Sequence, residues 1–288
     1  MMASLGLLRS RTLSGFNDMP ADDWHRRKQY FETPERKSVA FVDSGGNGPA
    51  LLMLHGFSDT SRSFAALERF FPDFRVIVPD FPGHGSSALD GGVRIEDFAA
   101  SIDRLLESLG LSRISVVGHS MGAMTAIELA ARRRDGVSAL ILLSGSLRPD
   151  FGAESPLARD IRALRDPIDP SGQFLRDWYA CSRPVDSGFL SKMKLDAAAM
   201  PAATWHGILD GFGETDLRCS AARVTAPVLC IAGSADPLFG GSHQEALGHA
   251  FQTVRSIRLE GCGHNPHWEY PERVSALISA FLAETARI

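Results

Sequence analysis

The chain has 288 residues, which is enough for one large hydrophobic core carrying an insertion. It is 44% hydrophobic and 22% charged, with a formal net charge of -4 at pH 7. This composition lacks the basic field that binds nucleic acid or an anionic membrane surface, so we expect a neutral or weakly polar small-molecule partner.

The four cysteines form no C-x-x-C pair, which argues against a structural zinc site or a redox motif. Sparse, scattered cysteines are typical of a reducing compartment. The apolar stretch at residues 4–8 is too short for a signal peptide, and no run approaches the roughly 20 apolar residues of a membrane helix. We therefore expect a cytoplasmic protein that neither crosses nor binds a membrane.

Residues 1–26 lack hydrophobic periodicity and are predicted to form an extended or mobile leader. Beyond them, apolar runs typical of buried strands alternate with amphipathic helical patterns. Strands are predicted at 30–33, 38–42, 50–54, 74–78, 114–117, 139–143, 228–232 and 256–259. Helices are predicted at 63–71, 95–109, 121–133, 244–250 and 272–286. This alternation predicts an α/β fold with a doubly wound, mostly parallel sheet.

The alternation stops between residues 147 and 223, where six prolines separate short helical patterns and no buried-strand run occurs. We predict a helical cap at 147–223, inserted into a core domain made of residues 27–146 and 224–288. Such a cap would lie as a lid over the strand ends.

The segment Gly118-His119-Ser120-Met121-Gly122 lies between a predicted strand and a predicted helix. A G-x-S-x-G sequence in this context is typical of a nucleophile elbow, whose serine occupies a tight, strained turn. Side chains in place of the flanking glycines would clash with neighbouring backbone. The pattern predicts Ser120 as a nucleophile, with the free N–H groups of the helix N-terminus close to a developing oxyanion.

A serine hydroxyl needs a base, and the base needs a carboxylate to orient it. His264 follows the strand 256–259 on a glycine-flanked loop, and His267 is the alternative three residues later. Asp236 follows the strand 228–232, and Asp150 and Glu154 are alternative carboxylates after the preceding strand. We favour Ser120, Asp236 and His264 as the triad.

The strand 50–54 is followed by His55-Gly56-Phe57. We predict that the backbone N–H groups of Phe57 and Met121 form an oxyanion hole, and that His55 is a structural hydrogen-bonding residue. Asp80, His84 and Ser86 lie on the loop after the strand 74–78. A metal site there is the weaker interpretation, and we expect these side chains to tie the loop to backbone.

Four of these motifs together give a family resemblance. They are His55-Gly56-Phe57, Asp80-Phe81-Pro82-Gly83-His84-Gly85-Ser86-Ser87, Gly118-His119-Ser120-Met121-Gly122 and Gly261-Cys262-Gly263-His264. In this order they resemble the α/β-hydrolase superfamily from about residue 38 to residue 286. The chain order Ser120, Asp236, His264 is the order of the triad in that fold. The resemblance implies an α/β-hydrolase fold with a helical cap and acyl-transfer chemistry without a metal or organic cofactor.

The predicted cap is rich in aromatic and methionine side chains, most of which we expect in its own core. Met200, Trp205, His206 and Trp178 are the candidates for contact with substrate, although a solvated helix face is an equal alternative for His206. An aromatic pocket suits a hydrophobic ester or lactone.

Three functional hypotheses remain open at this stage. The first is an ester or lactone hydrolase. The second uses the same triad for C–C bond hydrolysis of ring-cleavage products, or for cofactor-free perhydrolase or oxygenase chemistry. The third is a small-molecule receptor on the same fold. Substrate identity and oligomeric state do not follow from the sequence.

Overall fold

The computed structural model describes residues 22–32, 37–149, 151–152 and 154–286. Within these ranges, eight strands form one sheet in the order β1-β2-β4-β3-β5-β6-β7-β8. The strands are β1 Lys28–Glu32, β2 Ser38–Asp43, β3 Ala50–Leu54, β4 Arg75–Pro79, β5 Ile114–His119, β6 Val137–Leu143, β7 Val228–Gly233 and β8 Val254–Leu259. Strand β2 pairs antiparallel with both of its neighbours, and each pair from β4 to β8 is parallel. The predicted mostly parallel sheet is confirmed.

Helices cover both faces of the sheet. They are α1 Asp23–Arg26, a 3-10 turn Ser61–Phe64, α2 Ala65–Glu68, α3 Ile95–Ser108, α4 Met121–Arg132, α5 Pro156–Ala163, α6 Gln173–Trp178, α7 Ser187–Ala199, α8 Ala202–Glu214, α9 Arg218–Ala221, α10 Gly241–Ala250, α11 Pro266–Glu269 and α12 Pro271–Thr285. In β3, Leu52 and Leu54 pack in the cluster that contains α3 and α4, whereas Leu51 and Met53 pack in the cluster that contains α12. A strand buried on both faces explains the unbroken apolar run.

Helices α5 to α9 lie between β6 and β7 and correspond to the predicted insertion. They contact the loop after β3 at two places. Asp196 of α7 pairs with Arg62, and Trp178 of α6 donates its indole N–H to Ser58 Oγ at 2.7 Å. We refer to residues 147–223 below as the helical insertion.

Two sequence-based expectations about the first part of the chain are wrong. Residues 22–26 do not continue an extended leader, because they form α1 and its cap, with Trp24 buried and bonded to Ser61 Oγ. Residues 1–21 lie outside the described ranges. The single helix expected at 63–71 is a 3-10 turn followed by the short α2, because Thr60 caps the turn and the chain must reach β4 within a few residues.

Candidate active site

Ser120 lies between the end of β5 and the start of α4, with φ at 52°, a backbone region that non-glycine residues rarely adopt. A Cβ on Gly118 would lie 2.3 Å from Gly122 O, and a Cβ on Gly122 would lie 2.1 Å from Leu54 O. The expectation that both glycines allow close backbone contact is confirmed. The serine is therefore held in a strained turn between strand and helix.

Asp236 and His264 come together from the loops after β7 and β8. His264 Nδ1 lies 2.9 Å from Asp236 Oδ2 and 3.0 Å from Oδ1, and the Asp236 carboxylate is fully buried. Burial by itself raises the pKa of this carboxyl group. His264 and the backbone N–H groups of Leu238 and Phe239 outweigh burial and lower the pKa to about 2. Asp236 is thus an anion at neutral pH, oriented toward one ring nitrogen of His264.

The alternative residues lie elsewhere. Glu154 is exposed, and Asp150 lies outside the described residues. His267 is completely buried with Nε2 at 3.0 Å from Ser63 Oγ, and burial lowers its pKa well below the usual value. This geometry favours Asp236 over Glu154 and His264 over His267.

The residue before Ser120 links the loop of His264 to the elbow. His119 Nε2 lies 3.0 Å from the carbonyl oxygen of His264, and the two imidazole rings are 5.0 Å apart. Among the described residues, Ser120 Oγ has no hydrogen-bond partner. Nucleophile–base hydrogen bonds are often long without substrate and shorten when it binds.

The turn after β3 is fixed through its carbonyl groups. His55 Nδ1 lies 2.8 Å from Gly56 O, and His55 Nε2 accepts the N–H of Phe81 at 3.0 Å, so His55 is a structural residue as expected. His84 Nε2 lies 2.5 Å from Phe57 O. In the described part of the chain, neither the Phe57 N–H nor the Met121 N–H has a hydrogen-bond acceptor. Both groups are thus available to an oxyanion.

The loop after β4 supports this turn rather than a metal ion. Asp80 accepts the N–H groups of Ser61 and Ser86, each at 2.8 Å, and pairs with Lys28 Nζ at 2.6 Å. Burial raises the pKa of Asp80, but Lys28 and the two N–H groups lower it to about 2. The described residues contain no group of three His, Cys, Asp or Glu side chains arranged to hold a metal ion.

Aromatic rings connect the turn after β3 to His264. Phe57 contacts Trp205, Phe212 and Trp178 at centroid distances of 5.0, 5.3 and 5.8 Å. From Phe212 the contacts continue through Phe151 and Phe239 to His264 at 5.7, 5.7 and 5.5 Å. Most of these rings come from the helical insertion, so the insertion supplies an apolar, aromatic series between the turn after β3 and His264.

The four candidate substrate contacts separate into two groups. Trp205 and Met200 belong to the core cluster that contains Phe57, and Trp178 is partly buried against that cluster. His206 does not join them, because its Nε2 lies 3.1 Å from Ile161 O. It lines a separate groove of about 490 Å³ with Arg162 and Arg165. A structural role within the insertion therefore suits His206 better than substrate contact.

Sequence reasoning missed the polar residues that follow Phe57. Ser58 and Asp59 are buried and bond to Trp178 and Tyr179 of the helical insertion. Their position directly after Phe57, the predicted oxyanion residue, was the feature of the sequence that could have pointed to them.

No helix within the described ranges is both long and apolar enough to cross a membrane.

With this geometry established, the chain matches the α/β hydrolase fold family over residues 49–271. The match covers more than half of the chain, so the protein belongs to this family. The sheet order, the helices on both faces and the strained serine after β5 agree with this assignment.

Similarity to curated proteins extends over most of the chain. It is 29% identical over 262 residues to a 2-succinyl-6-hydroxy-2,4-cyclohexadiene-1-carboxylate synthase of Klebsiella pneumoniae, covering 85% of this chain and 98% of the relative. It is 30% identical over 251 residues to a pimeloyl-[acyl-carrier protein] methyl ester esterase of Aromatoleum aromaticum, covering 81% and 97%. The enol-lactonase of Burkholderia xenovorans shares the fold, with a TM-score of 0.75, 20% identity and coverage of 88% and 99%.

Proposed function

We propose that this protein is a serine hydrolase that cleaves a carboxylic ester or lactone of a hydrophobic small molecule through an acyl-enzyme intermediate. The observation that carries the proposal is the buried Asp236 carboxylate, 2.9 Å from Nδ1 of His264, together with the contact between His264 O and His119, the residue before the strained Ser120. This combination supplies a nucleophile, a base and an orienting carboxylate without a metal ion.

In the first half-reaction, His264 Nε2 takes the proton of Ser120 as Oγ attacks the substrate carbonyl carbon. Asp236 holds Nδ1–H and stabilises the imidazolium that forms. The N–H groups of Phe57 and Met121 donate to the oxyanion, and neither has to break another hydrogen bond with a described residue.

The tetrahedral intermediate then collapses, and the imidazolium gives its proton to the leaving alkoxide. A water molecule enters, His264 takes one of its protons, and the hydroxide attacks the acyl carbon. A second collapse releases the acid and returns the proton to Ser120 Oγ. In a lactone both products belong to one hydroxy acid, so the alcohol remains tethered through the second step.

The aromatic residues around Phe57 favour an apolar substrate, because they offer ring faces and few hydrogen-bonding groups. Trp205 is the exception, since its Nε1 is buried and lacks a hydrogen-bond partner within the described residues. An unpaired buried N–H costs about 1–3 kcal/mol. A substrate with a second acceptor oxygen would remove that cost.

Labelling with a fluorophosphonate tests the proposal directly. We expect one adduct, on the peptide that contains Ser120, and loss of both the adduct and p-nitrophenyl ester hydrolysis in Ser120→Ala. Asp236→Asn should lower kcat by about 10³- to 10⁴-fold, because the neutral amide no longer selects the working tautomer of His264.

Glu154→Gln is the matched control, since it removes the carboxylate that the sequence offered as an alternative. We expect kcat within about twofold of the wild-type value. A large loss in Glu154→Gln with little loss in Asp236→Asn would contradict the assignment of the acid. Tight ligand binding without adduct formation or turnover on a broad ester and lactone panel would instead favour a receptor.

A second candidate is the same triad acting on a C–C bond, since a relative that is 29% identical is named a synthase and not an esterase or lactonase. Rapid quenching followed by mass spectrometry of the intact protein separates the two reactions. Ester or lactone cleavage predicts a transient acyl adduct on Ser120. C–C bond hydrolysis in which His264 activates a water molecule to attack the carbonyl carbon, and the carbanion that leaves takes up a proton, predicts turnover with no adduct.

A further inference from the structure

Two adjacent aromatic residues of the helical insertion bond to the turn that carries Phe57. Trp178 ends α6, and its Nε1–H donates to Ser58 Oγ at 2.7 Å. Tyr179 follows, with its hydroxyl 3.1 Å from Ser58 Oγ, 3.2 Å from Ser58 O and 3.2 Å from Asp59 Oδ1. Ser58, Asp59 and Tyr179 are each at most 4% exposed. We call these four residues, 58–59 and 178–179, the latch.

The latch completes a series of bonds along the turn. The core holds the first two carbonyl groups, because Gly56 O lies near His55 Nδ1 and accepts the N–H of Asp59 at 3.2 Å, while Phe57 O lies near His84 Nε2. The third carbonyl, of Ser58, has its donor on the insertion. Hydrogen bonds therefore fix the turn from the core on one side and from the insertion on the other.

Apolar packing alone does not require these polar atoms. The Trp178 ring already packs against Phe57 and Phe174, and the Tyr179 ring stacks on Trp268 at 6.0 Å. Phenylalanine at either position would retain much of that packing. What tryptophan and tyrosine add is two donors, both directed at the residues immediately after Phe57.

We propose that Trp178 and Tyr179 are positioning residues for the oxyanion hole, so that the helical insertion completes the active site as well as covering it. The inference rests on the proposed function, because it assigns the Phe57 N–H to the oxyanion. An oxyanion hole works through donors fixed before the reaction begins, and a displaced donor loses much of its effect. Without the hydrogen bonds of the latch, the turn would keep its fold, but the position of the Phe57 N–H would be less well fixed.

The test uses Tyr179→Phe and Ser58→Ala in the full-length protein. Tyr179→Phe removes the single hydroxyl proton that lies within reach of both Ser58 O and Asp59 Oδ1. Ser58→Ala removes the hydroxyl that accepts from Trp178 and leaves the contact between Tyr179 and Asp59 possible. Both should lower kcat by about 10- to 100-fold with KM within twofold. A trifluoromethyl ketone forms a tetrahedral adduct that bears the oxyanion. Both variants should raise the inhibition constant of this ketone by the same factor by which they lower kcat/KM.

Tyr270→Phe is the matched control, because its hydroxyl makes an exposed contact with Glu260 O at 3.3 Å away from the turn, and its kcat should be unchanged. The double variant Trp178→Phe with Ser58→Ala should be no slower than the slower single variant, because the two changes remove one shared hydrogen bond. Circular dichroism and the melting temperature establish that each variant is folded.

Three outcomes are decisive. Folded variants with unchanged kcat, or with raised KM and unchanged kcat, would overturn the latch proposal while the wild type still forms its Ser120 adduct. A wild type that neither hydrolyses esters nor reacts with the fluorophosphonate would overturn the proposed function, and the latch role with it. A fall in kcat together with an equal loss of affinity for the ketone, with kcat of the Tyr270→Phe control unchanged, supports the proposal.

Discussion

At the scale of single residues, the carboxyl group of Asp59 stands out because it is buried without a cationic partner among the described side chains. Its oxygens accept hydrogen bonds from Ser63 at 3.1 Å and Tyr179 at 3.2 Å, and His119 Nδ1 is 3.8 Å away. Burial raises the pKa of Asp59 to about 6, although the two hydroxyl donors favour the ionised form. Burial also lowers the pKa of His119 to about 3, so it stays neutral and gives no compensating charge.

This pKa predicts how stability depends on pH. Between about pH 4 and pH 6 the folded chain holds a proton on Asp59 that the unfolded chain has lost. The contribution of Asp59 to the unfolding free energy therefore falls as pH rises through that window, by about 3 kcal/mol at 1.4 kcal/mol per pH unit. The lowered pKa of the buried His119 acts in the opposite direction, so the effect of Asp59 is isolated by comparing wild type with a variant. In Asp59→Asn the amide does not titrate in this range, so this contribution to the pH dependence of the unfolding free energy is absent.

Urea unfolding at pH 4, 5, 6 and 7 measures the effect. The unfolding free energy of Asp59→Asn relative to wild type should increase by about 2–3 kcal/mol from pH 4 to pH 7. A constant difference between the two proteins across this range would mean that Asp59 titrates normally in the folded state.

At the scale of elements, the start of α4 packs its backbone closely against the end of β3. The helix begins directly after Ser120, and Gly122 lies against the carbonyl oxygens of Leu54 and His55 at the end of β3. An added Cβ would approach these oxygens to 2.1 and 2.5 Å, far inside van der Waals contact. Helix and strand can reach this separation only with glycine between them.

Gly122→Ala should accordingly lower the unfolding free energy by about 2–4 kcal/mol, because the helix must move away from β3. Gly213→Ala in α8 is the matched control, since its Cβ would meet no atom within 4 Å. There we expect no loss, or a gain of up to about 1 kcal/mol from helix propensity. Equal effects at both sites, measured by urea unfolding, would show that propensity rather than contact governs Gly122.

At the scale of the whole molecule, Arg62 joins three parts of the chain. Its guanidinium pairs with Asp22, the N-cap of α1, and, through Nε at 2.8 Å, with Asp196 of the helical insertion. Thr60 also donates to Asp196 at 2.9 Å. The loop after β3 is thus bonded to the insertion at each residue from Ser58 to Arg62 except Ser61, and these bonds hold the insertion against the core.

Arg62→Ala should lower the unfolding free energy by about 1–3 kcal/mol, because it leaves two partly buried carboxylates without their shared cation. Arg69→Ala is the control, since Arg69 and Glu272 are both largely exposed and 3.7 Å apart, and we expect a change within about 0.5 kcal/mol. The unfolding free energies of the two variants can be compared by thermal or urea unfolding. If Arg62→Ala lowers the unfolding free energy no more than Arg69→Ala does, the Arg62 ion pairs do not hold the insertion in place.

The sequence by itself determined the order of the eight strands and of the longer helices of the core, because apolar periodicity reflects which faces each element buries. It also determined the elbow, because Gly118 and Gly122 satisfy backbone contacts within a few residues of Ser120. Asp236 and His264 were predictable as a pair because parallel strands end at the same edge of a sheet, although their roles in catalysis remain predictions.

Only the tertiary structure decided the contacts between distant segments. Ser58 and Tyr179 are 121 positions apart, and no local pattern predicts that the hydroxyl of one reaches the other. The same applies to His206, whose helix could present it to the site or to α5, and which bonds to α5. Such choices depend on how the insertion sits on the core, which results from the packing of many side chains at once.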